Sequence, residues 1–225
     1  MLIKNWMTKD VITVGPSTSM QSAMRLMQEH HIRLLPVMKK EKIMGVVTDL
    51  DIKRASASDA TSLEVHELHH LISKLKVKEI MNTEPIMVPF DYTIEEAAEV
   101  MTHNQIHGMP VVERKQHLVG VITKTDVFKA LISLTGSEKK GVQFGLLIED
   151  HPGSIKVFTD IIREYGGRLL SILTSYDRAP KGYRNLYLRA FAIDRQSLWE
   201  LKQKLANRAK LLYMIDHREN IRSIP

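Results

Sequence analysis

Apolar residues recur at helical spacing in Met20, Ala23, Met24 and Met27, and again in Ile94, Ala97, Ala98 and Met101. Stripes with a 3.6-residue period predict amphipathic helices over 18–30 and 92–104, each turning its stripe into a core. Behind each helix lie two short runs rich in β-branched residues, 33–38 with 43–48 and 109–113 with 117–123, which predict paired strands. A shorter apolar stretch precedes each helix, at 11–14 and 86–88, and a further helix closes each set. The order β-α-β-β-α thus occurs twice. After residue 140 the pattern changes to a strand at 141–149, a turn at Asp150-His151-Pro152-Gly153 and a helix to about Gly166. Strands at 168–177 and 183–193, a helix at 196–207 and a strand at 210–216 complete the β-α-β-β-α-β order of ferredoxin-like folds. The fold class expected is α/β (α+β).

The two leading sets match residue by residue. Met7 pairs with Met81, Val14 with Val88, Ala23 with Ala97, Met27 with Met101 and Pro36 with Pro110, all at an offset of 74. Beyond the proline the offset becomes 75, as in Gly45 with Gly120, so the second copy holds one extra residue in a polar hairpin between Val112 and Leu118. Loops accept such insertions readily. The organisation read from this is a first repeat over 1–57, a linker helix within 58–76, a second repeat over 77–135, a polar linker at 136–140 and a C-terminal unit over 141–225. In the linker helix Leu63, His66, Leu68, Leu71, Ile72 and Leu75 make an apolar face, which Thr61 or Ser62 can cap.

Each repeat ends in the same frame. Residues 45–54 read Gly-Val-Val-Thr-Asp-Leu-Asp-Ile-Lys-Arg, and residues 120–129 read Gly-Val-Ile-Thr-Lys-Thr-Asp-Val-Phe-Lys. The pattern is G-h-h-T-x-x-D-h-x-[KR], with h apolar. It places Thr48 and Asp51, or Thr123 and Asp126, where a strand passes into a helix. A helix start offers unpaired N–H groups to an anion. The Thr hydroxyl can donate or accept, and the Asp carboxylate presents two acceptors suited to the neighbouring hydroxyls of a ribose. Arg54 and Lys129 lie one helical turn further on, within reach of a phosphate. The same letters also fit a ligand-free account, in which Thr caps the helix and Asp favours its positive end. Duplication of the frame favours the ligand account.

Composition narrows the classes. At 225 residues and 44% hydrophobic content the chain can bury real cores, and a soluble globular protein of one large or two ordinary domains is expected. With no cysteine, disulfides, a thiol nucleophile and cysteine zinc sites are excluded. No leading apolar run of a signal peptide and no stretch of spanning length is visible, so a cytoplasmic location without a membrane partner is expected. Charge is balanced through residue 136, and the whole excess of +6 falls in residues 137–225, where any anionic partner would have to act.

Candidate chemistry is sparse. There is no Walker A frame, no G-x-G-x-x-G and no converging Ser-His-Asp or lysine set, which argues against an enzyme and against a catalytic cofactor. His66 and His70 stand at i and i+4, beside His69, and could share a metal on one helix face. Without cysteine or a spaced acidic ligand the linker helix is the simpler account, and no metal site is expected. Lys181-Gly182-Tyr183-Arg184-Asn185-Leu186-Tyr187-Leu188 echoes the RNP1 frame of RNA-recognition domains. Asn185 and Leu188 stand where that frame needs stacking aromatics, leaving Tyr183, which argues against a nucleic-acid partner. RNA binding through the basic C-terminal unit, or a homodimerising scaffold without ligand, are the alternatives to a ligand sensor.

Residues 1 to about 133 resemble a tandem pair of CBS domains. The resemblance is carried by both T-x-x-D frames, by Leu35-Pro36-Val37 and Met109-Pro110-Val111, and by Met7-Thr8 and Met81-Asn82 before each first strand. It implies one disc with two clefts that hold AMP, ADP, ATP or S-adenosylmethionine as a regulatory ligand. Ribose would lie on Asp51 and Asp126, and phosphate or ribose on Thr48 and Thr123. The base would lie against Ile12, Thr13, Ile86, Met87 and the strands at Pro36 and Pro110, with Val47, Gly108, Met109 and Ile122 in the lining. Arg33 and His107, three residues before each proline, stand where related pairs often carry a basic residue facing the phosphates. The turn Asp150, Pro152, Gly153, Ser154 and Ile155 matches the D-x-P-G-x-[LI] of ACT domains. That match implies an amino-acid site in which Gly153 lets a carboxylate approach the backbone of a helix start. The whole arrangement resembles the acetoin-utilisation protein AcuB group. With the CBS resemblance, the expected function is a non-catalytic homodimer that passes nucleotide occupancy, through dimer or interdomain packing, to a regulated partner protein, in a setting of acetoin utilisation.

Overall fold

A computed structural model describes residues 1–58, 75–113 and 117–224. Most of the linker helix, including His66, His69 and His70, lies outside the described residues. The chain divides into two compact units, Met1–Phe128 and Lys129–Pro225.

In the first unit a 3-10 turn at Ile3–Asn5 precedes helix α1 (Met20–Glu29), which starts where the Ser19 hydroxyl accepts the Ser22 N–H at 3.1 Å. Met20, Ala23 and Met27 are buried, and Met24 sits at the edge of the stripe, 37% exposed. Strands β1 (Leu34–Lys39) and β2 (Lys42–Thr48) pair antiparallel and lead into α2 (Asp49–Ser58). The second repeat runs through α3 (Val77–Ile80), β3 (Val88–Pro89), α4 (Ile94–His103), β4 (Gly108–Val112), β5 (Leu118–Thr123) and α5 (Lys124–Leu134). Helix α4 opens with a reciprocal cap: the Glu96 N–H donates to Thr93 Oγ1 at 3.2 Å and the Thr93 N–H to Glu96 Oε2 at 2.7 Å. Its buried stripe is Ile94, Ala97 and Met101.

Each repeat lends its leading segment to the other. The Thr8 and Val121 backbones exchange two hydrogen bonds of 3.0 Å, and the Asn82 and Val46 backbones exchange two, of 2.9 and 3.0 Å. Leu2 bridges Thr93 just as Ser19 bridges Lys76. At the offsets of 74 and 75 these are the same contacts seen from the two repeats. The crossing explains the glycine that opens each frame. A β-carbon at Gly45 would lie 2.4 Å from Asn82 O, and one at Gly120 would lie 2.4 Å from Met7 Sδ and 3.0 Å from Thr8 O. Only a residue without a side chain lets the crossing chain pass so close.

The crossing also shortens the first strands expected at 11–14 and 86–88. Val14 alone bridges Val37, and only Val88–Pro89 pairs with β4. The segment between Thr8 and Val14 passes from one repeat's sheet to the other's, so residues 9–13 ladder with neither.

The second unit comprises β6 (Val142–Glu149), α6 (Ser154–Glu164), β7 (Arg168–Ser175), β8 (Tyr183–Phe191), α7 (Leu198–Ala206), β9 (Lys210–Asp216) and β10 (Ile221–Ser223). Its strands form one antiparallel sheet in the order β10-β9-β6-β8-β7, the ferredoxin-like arrangement with β10 added at the edge. Phe158, Ile161 and Ile162 of α6 and Leu201 and Leu205 of α7 share one core with Val142, Phe144, Leu146 and Ile148 of the central strand. The polar stretch after α5 packs on this unit: Ser171 Oγ donates to Thr135 O at 3.0 Å, and the Lys139 ammonium lies 5.2 Å from the centre of the Phe191 ring.

One buried ion pair closes the second unit. Asp216, 2% exposed, accepts from Arg218 Nε at 2.9 Å and Nη2 at 2.7 Å, and Arg218 Nη1 donates to Ile193 O at 2.6 Å. Hydrogen bonds from Arg218 hold the Asp216 carboxyl below its ordinary value against the opposing effect of burial.

Two stability changes follow. Gly45→Ala should cost about 2 kcal/mol or more, because the facing atom is backbone and cannot swing aside; a lowered urea midpoint is the readout. Asp216→Asn should cost about 3 kcal/mol near neutral pH by leaving Arg218 half-buried without its partner. Because the folded carboxyl titrates below the unfolded one, this contribution is complete above the unfolded value and is lost as pH falls through the folded one. Urea titrations of both proteins at neutral and strongly acidic pH should therefore show the difference shrinking in acid.

Candidate functional site

Strands β2 and β5 each deliver a threonine to the start of a helix, and the T-x-x-D frame closes on itself there. Asp51 Oδ2 accepts the Thr48 N–H at 2.8 Å and the Thr48 hydroxyl at 2.6 Å, while the Asp51 N–H reaches Thr48 Oγ1 at 3.3 Å. In the second repeat the same three bonds link Thr123 and Asp126 at 2.9, 2.6 and 3.4 Å. The helix-capping account of these letters is thus realised in both copies. It consumes a single oxygen of each carboxylate. Oδ1 of Asp51 and of Asp126 makes no hydrogen bond to a described residue, and the cap holds it in one orientation. Capping therefore leaves the second oxygen of the same side chain available to a ligand.

Other predicted residues gather around these caps. The Asp49 N–H donates to Arg33 O at 3.1 Å and the Lys124 N–H to His107 O at 3.0 Å, which ties the residue three before each proline to the helix start. The side chains of Arg33, His107, Arg54 and Lys129 are exposed and form no ion pair among the described residues. Thr13 and Ile86 are exposed, Ile12 and Met87 half-buried, and Pro36, Gly108 and Pro110 buried in their strands. Val47 and Ile122 are wholly buried and Met109 is 1% exposed. Neighbours on a strand alternate in direction, so these three face the core and can offer a ligand only their backbone.

Pattern alone does not single out Leu34. It pairs with Thr48 across β1 and β2 as Gly108 pairs with Thr123 across β4 and β5, and its alignment with Gly108 at the offset of 74 is the signal that would find it.

In the second unit the Asp-x-Pro-Gly turn starts α6. Gly153, with φ of 83°, is the helix N-cap, and no side chain caps its N–H groups. Asp150 Oδ1 lies 3.3 Å from Arg184 Nε, and Arg184 Nη2 donates to Ser154 Oγ at 2.9 Å, so two of the motif's side chains are tied to β8. Pro152 and Gly153 are exposed, and Ile155 packs against the core. A cavity of about 580 Å³ opens beside the turn, with Leu147 and Phe158 as apolar walls and His151, Tyr183, Arg208 and Lys210 as polar ones. The two bases come from the start of β9, which the motif does not include.

On the strand that echoes RNP1, Tyr183 is 40% exposed. Leu188 is wholly buried, Asn185 is 9% exposed, and Tyr187 stacks on Tyr213 with ring centres 6.4 Å apart. Among the described residues no cluster of three His, Asp or Glu could hold a metal, and no helix is long and apolar enough to cross a membrane.

Two β-α-β-β-α repeats that trade leading segments and set one free carboxylate oxygen beside each helix start define the first unit as a duplicated α/β module. Residues 3–58 and 77–133 match the CBS domain model, and the chain belongs to that family. The match ends at residue 133, before β6. Inosine-5'-monophosphate dehydrogenase of Korarchaeum cryptofilum is 36% identical over 125 residues, which are 56% of this chain and 23% of that enzyme. The chain therefore spans less than a quarter of that relative. Among solved structures, the CBS domain pair of protein MJ0100, in complex with 5'-methylthioadenosine and S-adenosyl-L-methionine, is 26% identical with a TM-score of 0.50, over 58% of this chain and 99% of that one. A Vibrio cholerae protein provisionally assigned to acetoin utilization (AcuB) is 26% identical with a TM-score of 0.52, over 62% of this chain and 97% of that one.

Proposed function

We propose that the CBS pair binds an adenosine-containing ligand of the AMP, ADP, ATP or S-adenosylmethionine class and that the chain regulates a partner protein instead of catalysing a reaction. The observation that carries this reading is the carboxylate oxygen left free by each cap, Oδ1 of Asp51 and of Asp126, held rigid at a helix start. Ribose hydroxyls are the donors it suits, and the exposed bases Arg33, Arg54, His107 and Lys129 suit phosphates. The adenosine ligands of the MJ0100 pair support the class. Likeness to the Vibrio cholerae protein supports a setting in acetoin utilisation.

Regulation requires the ligand to favour one packing arrangement over another. A preference of about a hundredfold corresponds to about 2.7 kcal/mol, enough to switch a dimer or an interdomain contact. A homodimer is supported by α5, whose Phe128, Leu131, Ile132 and Leu134 are 61%, 52%, 47% and 41% exposed while Ala130 of the same helix is buried. This uncharged stripe can meet its own copy in a twofold contact. For the second unit, the ACT-like turn with its uncapped helix start, Arg208, Lys210 and the adjoining cavity supports an amino-acid site.

Titration calorimetry with AMP, ADP, ATP and S-adenosylmethionine should give saturable heat with at least one of them; silence with all four would leave a ligand-free scaffold. Sedimentation should give a dimer, and Leu131→Glu should shift it toward monomer; an unchanged dimer would place the interface elsewhere.

A further inference from the structure

The two clefts share their cap but differ in the residue beside it. Leu34 stands opposite Thr48 and Gly108 opposite Thr123. Residues paired directly across an antiparallel ladder project to the same face. A β-carbon built at Gly108 would lie 3.1 Å from Thr123 Cγ2 and 3.5 Å from Thr123 Cα, so the side chain missing there would stand against the site threonine. In the first repeat the equivalent place holds the branched side chain of a leucine.

The carboxylates differ as well. Asp126 is 7% exposed, whereas Asp51 is half-buried. Among the described residues the fully enclosed side-chain polar atoms without a hydrogen-bond partner are Arg184 Nε and Arg189 Nε, so the free oxygen of Asp126 keeps an opening. A largely buried charged acceptor with one oxygen unmatched by protein gains more from a hydroxyl donor than one already near water. Beside Thr123 the facing residue, Gly108, contributes no side chain, whereas Leu34 contributes one beside Thr48.

We propose that the second repeat is the tight adenosine site and that Leu34 obstructs the first, so that each chain takes one ligand. This rests on the adenosine reading above and adds which cleft is used and which residue decides it. Space beside the threonine is the determinant, because cap geometry in the two repeats agrees to about 0.1 Å in each bond.

Calorimetry of the full chain with AMP, and separately with S-adenosylmethionine, is expected to give one equivalent per chain for whichever binds. Leu34→Gly should raise the count to two, a gain that misfolding cannot produce. Gly108→Leu should weaken the single event about tenfold or more. Thermal melting of each variant is run alongside; should Gly108→Leu fail to fold, Gly108→Ala, which asks Thr123 Cγ2 and the Ile122 carbonyl to give by a few tenths of an ångström, takes its place with a smaller loss expected. Two equal equivalents in the unaltered chain, or a single event untouched by either change at Gly108, would overturn the proposal. No heat with either of these, nor with ADP or ATP, would instead overturn the adenosine reading, and this proposal with it.

Discussion

The first unit depends on backbone hydrogen bonds that cross between its repeats, among them two joining Thr8 to Val121 and two joining Asn82 to Val46. They make β2 and β5 templates for the leading segment of the other repeat. A single repeat could not satisfy these backbone groups or cover its strand, which is why the module is read as a pair. Gly45 and Gly120 follow from the same constraint, since any side chain there would occupy the path of the crossing chain. So does the brevity of the first strands, whose residues are divided between two sheets.

At the ends of β2 and β5 the chain turns into α2 and α5 through the Thr-x-x-Asp cap. The cap stabilises the helix start and, in the same act, immobilises a carboxylate with one oxygen unused. A binding group prepared in this way loses little conformational freedom when a ligand arrives. The structural and ligand-binding accounts of the frame are therefore two uses of one arrangement, divided between Oδ2 and Oδ1. The two frames differ in a neighbour on the adjacent strand, Leu34 opposite Thr48 and Gly108 opposite Thr123.

The second unit follows a different logic. Its sheet buries one face under α6 and α7, and its polar turn at Asp150 is held by Arg184 from a neighbouring strand. The positive charge beside the turn, Arg208 and Lys210, arrives from the far end of the sequence through the pairing of β9 with β6. A short motif places a helix start; the sheet order decides which charges stand next to it.

By itself the sequence determined the elements and their order, because hydrophobic period, glycine placement and capping letters are local properties. The helices at 18–30 and 92–104, the hairpins behind them, the duplication and the β-α-β-β-α-β order of the last part were all legible in this way. The T-x-x-D frames were legible too, since a turn needs its residues in fixed succession. Only tertiary structure decided that Val47, Met109 and Ile122 face inward, that Leu34 stands beside Thr48, and that residues 11–13 stay out of the sheet their pattern predicts. Each of these depends on strand register or on a chain crossing between repeats, contacts among residues distant in sequence whose geometry no local pattern encodes.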